Sequence, residues 1–396
     1  MRLPLIALLT ASTAAPALAQ SAKQIDTLYA GDVPVQVMEV ATGLDKPWGM
    51  AFLPGGDMLV TELAGELLRV SPDGTISSPL EGTPDVFAQG QGGLMDVALA
   101  PDFAESRMLY LSYAEAGEGG TAGTALGRGT LSEDGSAIEG FETLWRQRKV
   151  EGGAHFGNRI AFDGAGHVFL ALGERFKFGP AQDLSDTLGA VIRLNLDGAI
   201  PEDNPFVGQE GAAGEIWSYG HRNVEAAIWH PELEQIWLAE MGPMGGDELN
   251  AVERGANHGW PVVSWGINYD GVSIPDPTEF PDYADAVHHW NPVRSPSGMI
   301  LYSGEMFPSW QGDLFFGSLS AGGLEHVNME GGEVAGTNFL PFNTRIREVD
   351  QGPEGAIYLL TNASGEGNAA IWRIEPLPVQ EASADGDRSG PGAARD

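Results

Sequence analysis

Apolar residues in this chain come in short runs separated by turns rich in Gly, Pro, Asp and Asn. Few segments carry the 3.6-residue period of an amphipathic helix, so the pattern predicts an all-β protein. One unit recurs: a short apolar run, a turn, and a second apolar run. It occurs as WGMAFLPGGDMLVTE from Trp48 and as MDVALAPDFAESRMLYLSY from Met95. It continues as NRIAFDGAGHVFLALGE from Asn158 and EAAIWHPELEQIWLAEMG from Glu225. It returns as MILYSGEMFPSWQGDLFFGSL from Met299 and REVDQGPEGAIYLLTN from Arg347. Each unit reads as a β-hairpin, and most are followed by another short strand, as in LLRVSPDG and VIRLNLDG. Six repeated hairpins predict a six-bladed β-propeller. A four-stranded sheet cannot bury both faces alone, whereas six sheets in a ring bury one another's faces. A β-sandwich is the competing fold, but it has no need of six copies of one hairpin. The strand around Val35 to Val40 is expected beside Ala370 to Ile374, closing the ring.

The ends read differently from the middle. Residues 1–19 have the form of a signal peptide: Arg2, an apolar run, and the small-x-small site Ala17-Leu18-Ala19. The run is too short to cross a bilayer, which takes ~20 residues. The expectation is therefore a periplasmic or secreted protein without membrane insertion. Residues 20–33 read as an N-terminal extension and 34–376 as one propeller domain. Residues 377–396, rich in Ala, Gly, Asp, Pro and Ser, read as a disordered tail.

The chain has no cysteine, so an exported form must be held by its core, and 396 residues can bury a large one. It has 21 Lys+Arg against 55 Asp+Glu, a net charge of −34. That charge argues against nucleic acid or an anionic membrane as partner, and it suits a protein that binds calcium. Most of these carboxylates belong to a solvated surface.

Against this background the polar residues at the hairpin ends carry the candidate chemistry. Gly90-Gln91-Gly92-Gly93 is a turn through which backbone can approach a ligand while Gln91 offers an amide; a plain glycine turn is the alternative. His155, in the loop entering the third hairpin, suits a general base near neutral pH. Glu174 ends the paired strand, and a hairpin returning to the same rim can bring its carboxylate to His155. A surface histidine and an unrelated glutamate are the plainer alternative. Arg222 and Asn223 precede an apolar strand and suit gripping carboxylates. Gly242-Pro243 can present consecutive carbonyls, the hard oxygens that calcium takes, although the acidic pair Asp247-Glu248 also fits a solvated loop. Arg345 and Arg347 alternate on a strand and so share a face. They repel unless an anion lies between them; surface salt bridges are the alternative.

Taken in order, Gln-Gly-Gly-Leu, His-x-x-Asn-Arg, Gly-His-Arg-Asn, Glu-Met-Gly-Pro with Asp-Glu, Asn-His-Gly-Trp-Pro and Arg-x-Arg resemble one family. It is the soluble PQQ-dependent glucose/sorbosone dehydrogenases, most closely the aldose sugar dehydrogenase branch. The resemblance implies oxidation of aldose sugars at the anomeric carbon to lactones. It implies pyrroloquinoline quinone (PQQ) and Ca2+ as cofactors, and a periplasmic electron acceptor as partner. His155 matches the family's base and Glu174 its acidic partner. Gln91, Arg222, Asn223, Arg345 and Arg347 match residues that hold PQQ or polarise its reacting carbonyl. The carbonyls of Gly242 and Pro243 match ligands of the calcium beside PQQ. Glu248 and the His258 backbone match a second, structural calcium site.

Three positions depart from the family pattern. Ser320 stands where many members carry a cofactor-contacting Lys, Val224-Glu225 stands for Pro-Gln, and Val293 for a Thr near the cofactor. Each change removes a donor or adds negative charge, so weaker PQQ binding is expected unless Arg294 supplies the missing cation. A calcium-dependent lactonase-type hydrolase and a non-catalytic binding propeller are the competing functions. The hydrolase would have no use for paired arginines, and the binding protein no need of His155.

Overall fold

The computed structural model describes residues 23–363 and 367–378. The predicted signal peptide lies outside the described residues, as does most of the predicted tail. Six antiparallel sheets form a six-bladed β-propeller. The innermost strands are Pro47–Phe52, Leu94–Leu99, Gly157–Phe162, Val224–His230, Pro296–Leu301 and Ile346–Gln351. Each touches the next around a central channel, and the last touches the first. These are the leading strands of the six repeated hairpins.

Period-two alternation explains why the ring holds together. In the third blade Leu170 faces Tyr110 and Leu126 of the second blade, while Phe169 and Ala171 face Ala227 and Leu238 of the fourth. The same division recurs at every junction, so six apolar layers lie between neighbouring sheets. Each sheet buries both faces, and each fully buried Leu or Phe contributes roughly 1.5–3 kcal/mol.

The ring closes in the sixth blade. Strand Val33–Leu44 pairs antiparallel with Ala369–Pro376, with Val37 opposite Ile374. The segment expected as an N-terminal extension adds Lys23–Ala30 as a fifth, outer strand. The first blade has three strands, Pro47–Phe52, Met58–Glu62 and Leu67–Val70.

This topology decides where polar residues gather. The residues just before each innermost strand lie at one mouth of the channel, and the second strand of each hairpin returns to the same rim. Lys46, Gln91, His155, Asn223, Ser295 and Arg345 are thereby collected from entries into innermost strands. Glu174, Met241, Ser320 and Asn362 are collected from the returns.

Candidate active site

Two adjoining cavities of about 590 and 510 Å3 occupy this mouth and share Gln91, Met241, Ser295 and Ser320. Their sizes suit small-molecule ligands. His155, Arg222, Asn223, Gly242, Pro243 and Tyr269 line the first. Lys46, Trp48, Glu225, Arg345 and Arg347 line the second.

His155 is buried, with φ +51 in the left-handed region, and its backbone N–H donates to Gln91 Oε1 at 2.6 Å. Its Nδ1 lies 2.6 Å from Glu174 Oε1. Strand register makes this meeting: Gly157 pairs with Leu172, and Gly173 bridges to Asn223. A Cβ on Gly173 would run into the His155 carbonyl, so only glycine allows the approach. Glu174 is fully buried and acts only as an acceptor, so Nδ1 carries the hydrogen and Nε2 the lone pair. Nε2 has no hydrogen-bond partner among the described residues. Burial first holds the His155 pKa below its ordinary value; Glu174 opposes this and the positive charge of Arg222 adds to it.

Arg222 is buried beside His155. Its backbone N–H donates to Glu240 Oε2 at 2.7 Å and its guanidinium to Met241 O at 2.8 Å and Tyr269 Oη at 3.1 Å, leaving Nε buried without a partner. Asn223 donates to Glu225 Oε1 at 3.0 Å and accepts from Gly157 N–H at 3.2 Å. Arg347 contacts Glu225 Oε2 directly, and its Nε is buried and unpartnered. Arg345 is exposed at the mouth and donates to Asn362 Oδ1 and Leu319 O, each at 3.2 Å. Desolvation along the cavity wall, and then the charge of Arg347, lower its pKa. The two arginines do line one cavity, but one of them already holds a carboxylate.

The three departures lie close by. Ser320 faces both cavities and hydrogen-bonds the Ser295 hydroxyl, and Val293 lines the first cavity. Glu225 bridges Asn223 and Arg347, while Val224 is fully buried in the core. Arg294 does not supply the missing charge: its Nε donates to Glu325 at 2.8 Å and its guanidinium covers Phe339. Besides Arg345 and Arg347, Lys46 also faces the second cavity, and the sequence reading did not single it out. Its place immediately before the innermost strand of the first blade was the available signal.

Two arrangements bear on calcium. The carbonyls of Gly242 and Pro243 accept no hydrogen bond among the described residues and belong to the cavity wall. Their turn is locked by buried Asp247, which accepts from the backbone N–H groups of Gly242 at 2.8 Å, Arg294 at 2.5 Å and Ser295 at 2.6 Å. The sequence reading named that segment but not that role. Behind the turn, Glu240, Glu248, His258 and Trp260 enclose a space of about 10 Å3, which suits one water-sized occupant. Burial, and then the charge of Glu240, hold Glu248 well above the ordinary carboxylate range. Both His258 ring nitrogens are buried without partners against His221. The described residues hold no group of three acidic, His or Cys side chains placed to ligate a metal, so backbone oxygens would have to complete either site.

The arrangement has relatives. Residues 44–373 match the family model described as Glucose / Sorbosone dehydrogenase. The chain is 44% identical to the aldose sugar dehydrogenase YliI of Escherichia coli over 360 residues, 88% of this chain and 95% of that protein. The apo-form crystal structure of the soluble aldose sugar dehydrogenase from Escherichia coli superposes with a TM-score of 0.81 at 41% identity, covering 87% of this chain and 100% of that one. The PQQ-bound aldose sugar dehydrogenase from Streptomyces coelicolor gives a TM-score of 0.70 at 28% identity, covering 86% of this chain and 98% of that one. With the family model spanning most of its length, the chain is an enzyme of the glucose/sorbosone dehydrogenase family.

Proposed function

We infer that the protein oxidises aldoses at the anomeric carbon to lactones, with PQQ as electron acceptor and calcium beside it. The observation that carries the reading is the buried His155–Glu174 pair, whose histidine lines a cavity with Arg222 and adjoins one lined by Lys46, Arg345 and Arg347. The residues fit the cofactors. PQQ is a planar tricarboxylate, and the unpartnered Nε atoms of Arg222 and Arg347 are donors that lack acceptors. Arg222, Asn223, Arg345, Arg347, Lys46 and Gln91 would hold it, and the free carbonyls of Gly242 and Pro243 would ligate the calcium. When bound, PQQ with its calcium supplies the acceptor for the hydride from C1.

The protein's own part is proton transfer and alignment. His155 Nε2 takes the proton of the anomeric hydroxyl as the C1–O bond becomes a carbonyl. Glu174 fixes the tautomer and stabilises the imidazolium that forms. A base must start neutral, and the lowered pKa of His155 keeps it so at pH 7. The rate should therefore hold at neutral pH and fall only as acidification passes below the ordinary histidine value of ~6.5. Half-buried Glu248 and the His258 backbone would hold the second, structural calcium.

The test is His155→Ala. Turnover should drop at least ~100-fold while PQQ binding stays within a few-fold of wild type, because loss of a general base costs about that much. Wild-type turnover in this variant, with saturating PQQ and calcium, would place the base elsewhere.

A further inference from the structure

Blade four joins its third and fourth strands through residues 253–287, where blade five uses only Gly331 and Gly332. Apart from one 3-10 turn, Pro277–Glu279, this link has no regular structure, and links of that length are uncommon unless they carry function. It runs back to the mouth where the innermost strands begin. Trp260 lies 5.4 Å from the Arg222 guanidinium, and Tyr269, whose hydroxyl accepts from Arg222, lines the first cavity.

The tip of the link is a locked turn. Asn268 N–H donates to Val272 O at 3.0 Å and Gly271 N–H to Asn268 O at 2.9 Å, while the Asp270 carboxylate accepts from Val272 N–H at 3.0 Å. Met244 N–H donates to Ile267 O and ties the tip to the cavity wall. The turn thereby holds Met244, Ile267, Tyr269 and Val272 on one rim, 47%, 40%, 61% and 59% exposed. Contiguous exposed apolar surface of this kind marks an interaction site. Its surround is acidic: between Gly255 and Val293 the chain has Asp270, Asp276, Glu279, Asp282 and Asp285 and no Lys or Arg.

We propose that this apolar tip docks a small basic protein that carries one electron at a time, and that the enzyme is reoxidised there. The inference rests on the oxidation proposed above. Each aldose oxidised to a lactone gives up two electrons and two protons. Two oxidised carriers take one electron each, and the protons pass to solvent. The carrier has to reach the mouth that the cofactor would occupy, and the tip stands on that mouth. The surround fixes the sign of the partner. A cationic surface is attracted by these carboxylates, whereas an anionic carrier, or a second copy of a chain of net charge −34, is repelled. A small contact suffices, since electron-transfer encounters bury less than ~1,200 Å2 in total.

Mitochondrial cytochrome c, a basic one-electron carrier, is the probe. It is titrated calorimetrically into PQQ-free wild type, into the triple variant Asp270→Asn, Glu279→Gln, Asp282→Asn, and into a control triple variant Glu105→Gln, Glu232→Gln, Glu234→Gln. The control acids are exposed in hairpin turns at the other end of the channel. At an ionic strength of ~0.1 M, charges more than ~10 Å from the contact are screened. The loop variant should bind ~3- to 100-fold more weakly than wild type, the worth of three exposed ion pairs, and the control within about twofold of wild type. Val272→Ser should weaken binding by ~2- to 10-fold without changing its dependence on salt. With PQQ and calcium added, reduction of cytochrome c by an aldose should slow in the loop variant while reduction of a small uncharged dye keeps the wild-type rate. Binding is read without cofactor or sugar. A protein with the expected affinities that oxidises no aldose therefore refutes the reaction and leaves the docking surface standing. Equal weakening in both triple variants, no binding of cytochrome c to wild type, or a wild-type dimer that Val272→Ser dissociates overturns the docking surface.

Discussion

The two mouths of the channel are built from the same six strands and are lined by opposite kinds of ionisable side chain. Where the strands begin, Lys46, Arg222, Arg345 and Arg347 face Glu225, which Arg347 already engages. Where they end, a cavity of about 560 Å3 has Asp96, Glu348 and Asp350 around a single cation, Arg159. Arg159 donates to Asp96 at 3.0 Å and contacts Glu348. Trp48 separates the two ends, with Arg159 4.4 Å and Arg347 5.7 Å from its ring. In a chain of net charge −34 the cationic mouth runs against the composition. Total charge describes the outer surface, whereas the mouth where the strands begin takes its sign from a few residues at strand entries.

The largest expected effect breaks the acidic mouth. Arg159→Ala leaves Asp96 and Glu348 buried without their cation and should cost about 3–5 kcal/mol of stability at neutral pH. Burial already raises both carboxyl pKa values. A raised carboxyl binds its proton more tightly folded than unfolded, so its penalty disappears as pH falls below the unfolded value. Denaturant unfolding at pH 8 and pH 5 should therefore show a smaller loss at pH 5. A loss below ~1 kcal/mol at pH 8 would mean that Arg159 does not compensate these acids.

A smaller effect sharpens the cationic mouth. Arg347→Ala should weaken PQQ binding by roughly ten- to hundred-fold, because a charge-assisted contact is lost and Glu225 is freed. Arg345→Ala, at an exposed position, should cost less than about tenfold. Equal losses in calorimetric titration would mean that burial does not distinguish the two.

The repeat was legible because each hairpin announces itself in contiguous sequence, and period-two alternation then dictates the apolar layers. The His155–Glu174 meeting was legible for the same reason, since one hairpin carries both residues. The Glu225–Arg347 pair was not, because the partners are 122 positions apart and meet only across the closed ring. Lys46 was missed because it stands in no motif.

A change of opposite sign adds charge to the cationic mouth. Ser320→Lys should tighten PQQ binding by ~1–3 kcal/mol, since Ser320 faces both cavities and Arg294 is committed to Glu325. Glu225→Gln should act in the same direction and by less, releasing Arg347 for the ligand. If neither change moves the titration, charge at this mouth is not what sets the affinity.

The most direct measurement is reconstitution. Purified protein freed of PQQ and calcium is assayed for dye reduction with a panel of aldoses, with each cofactor added alone and both together. Turnover should appear only with both. Turnover by chelated protein shown to be free of PQQ would contradict the assignment of the cationic mouth as the cofactor site.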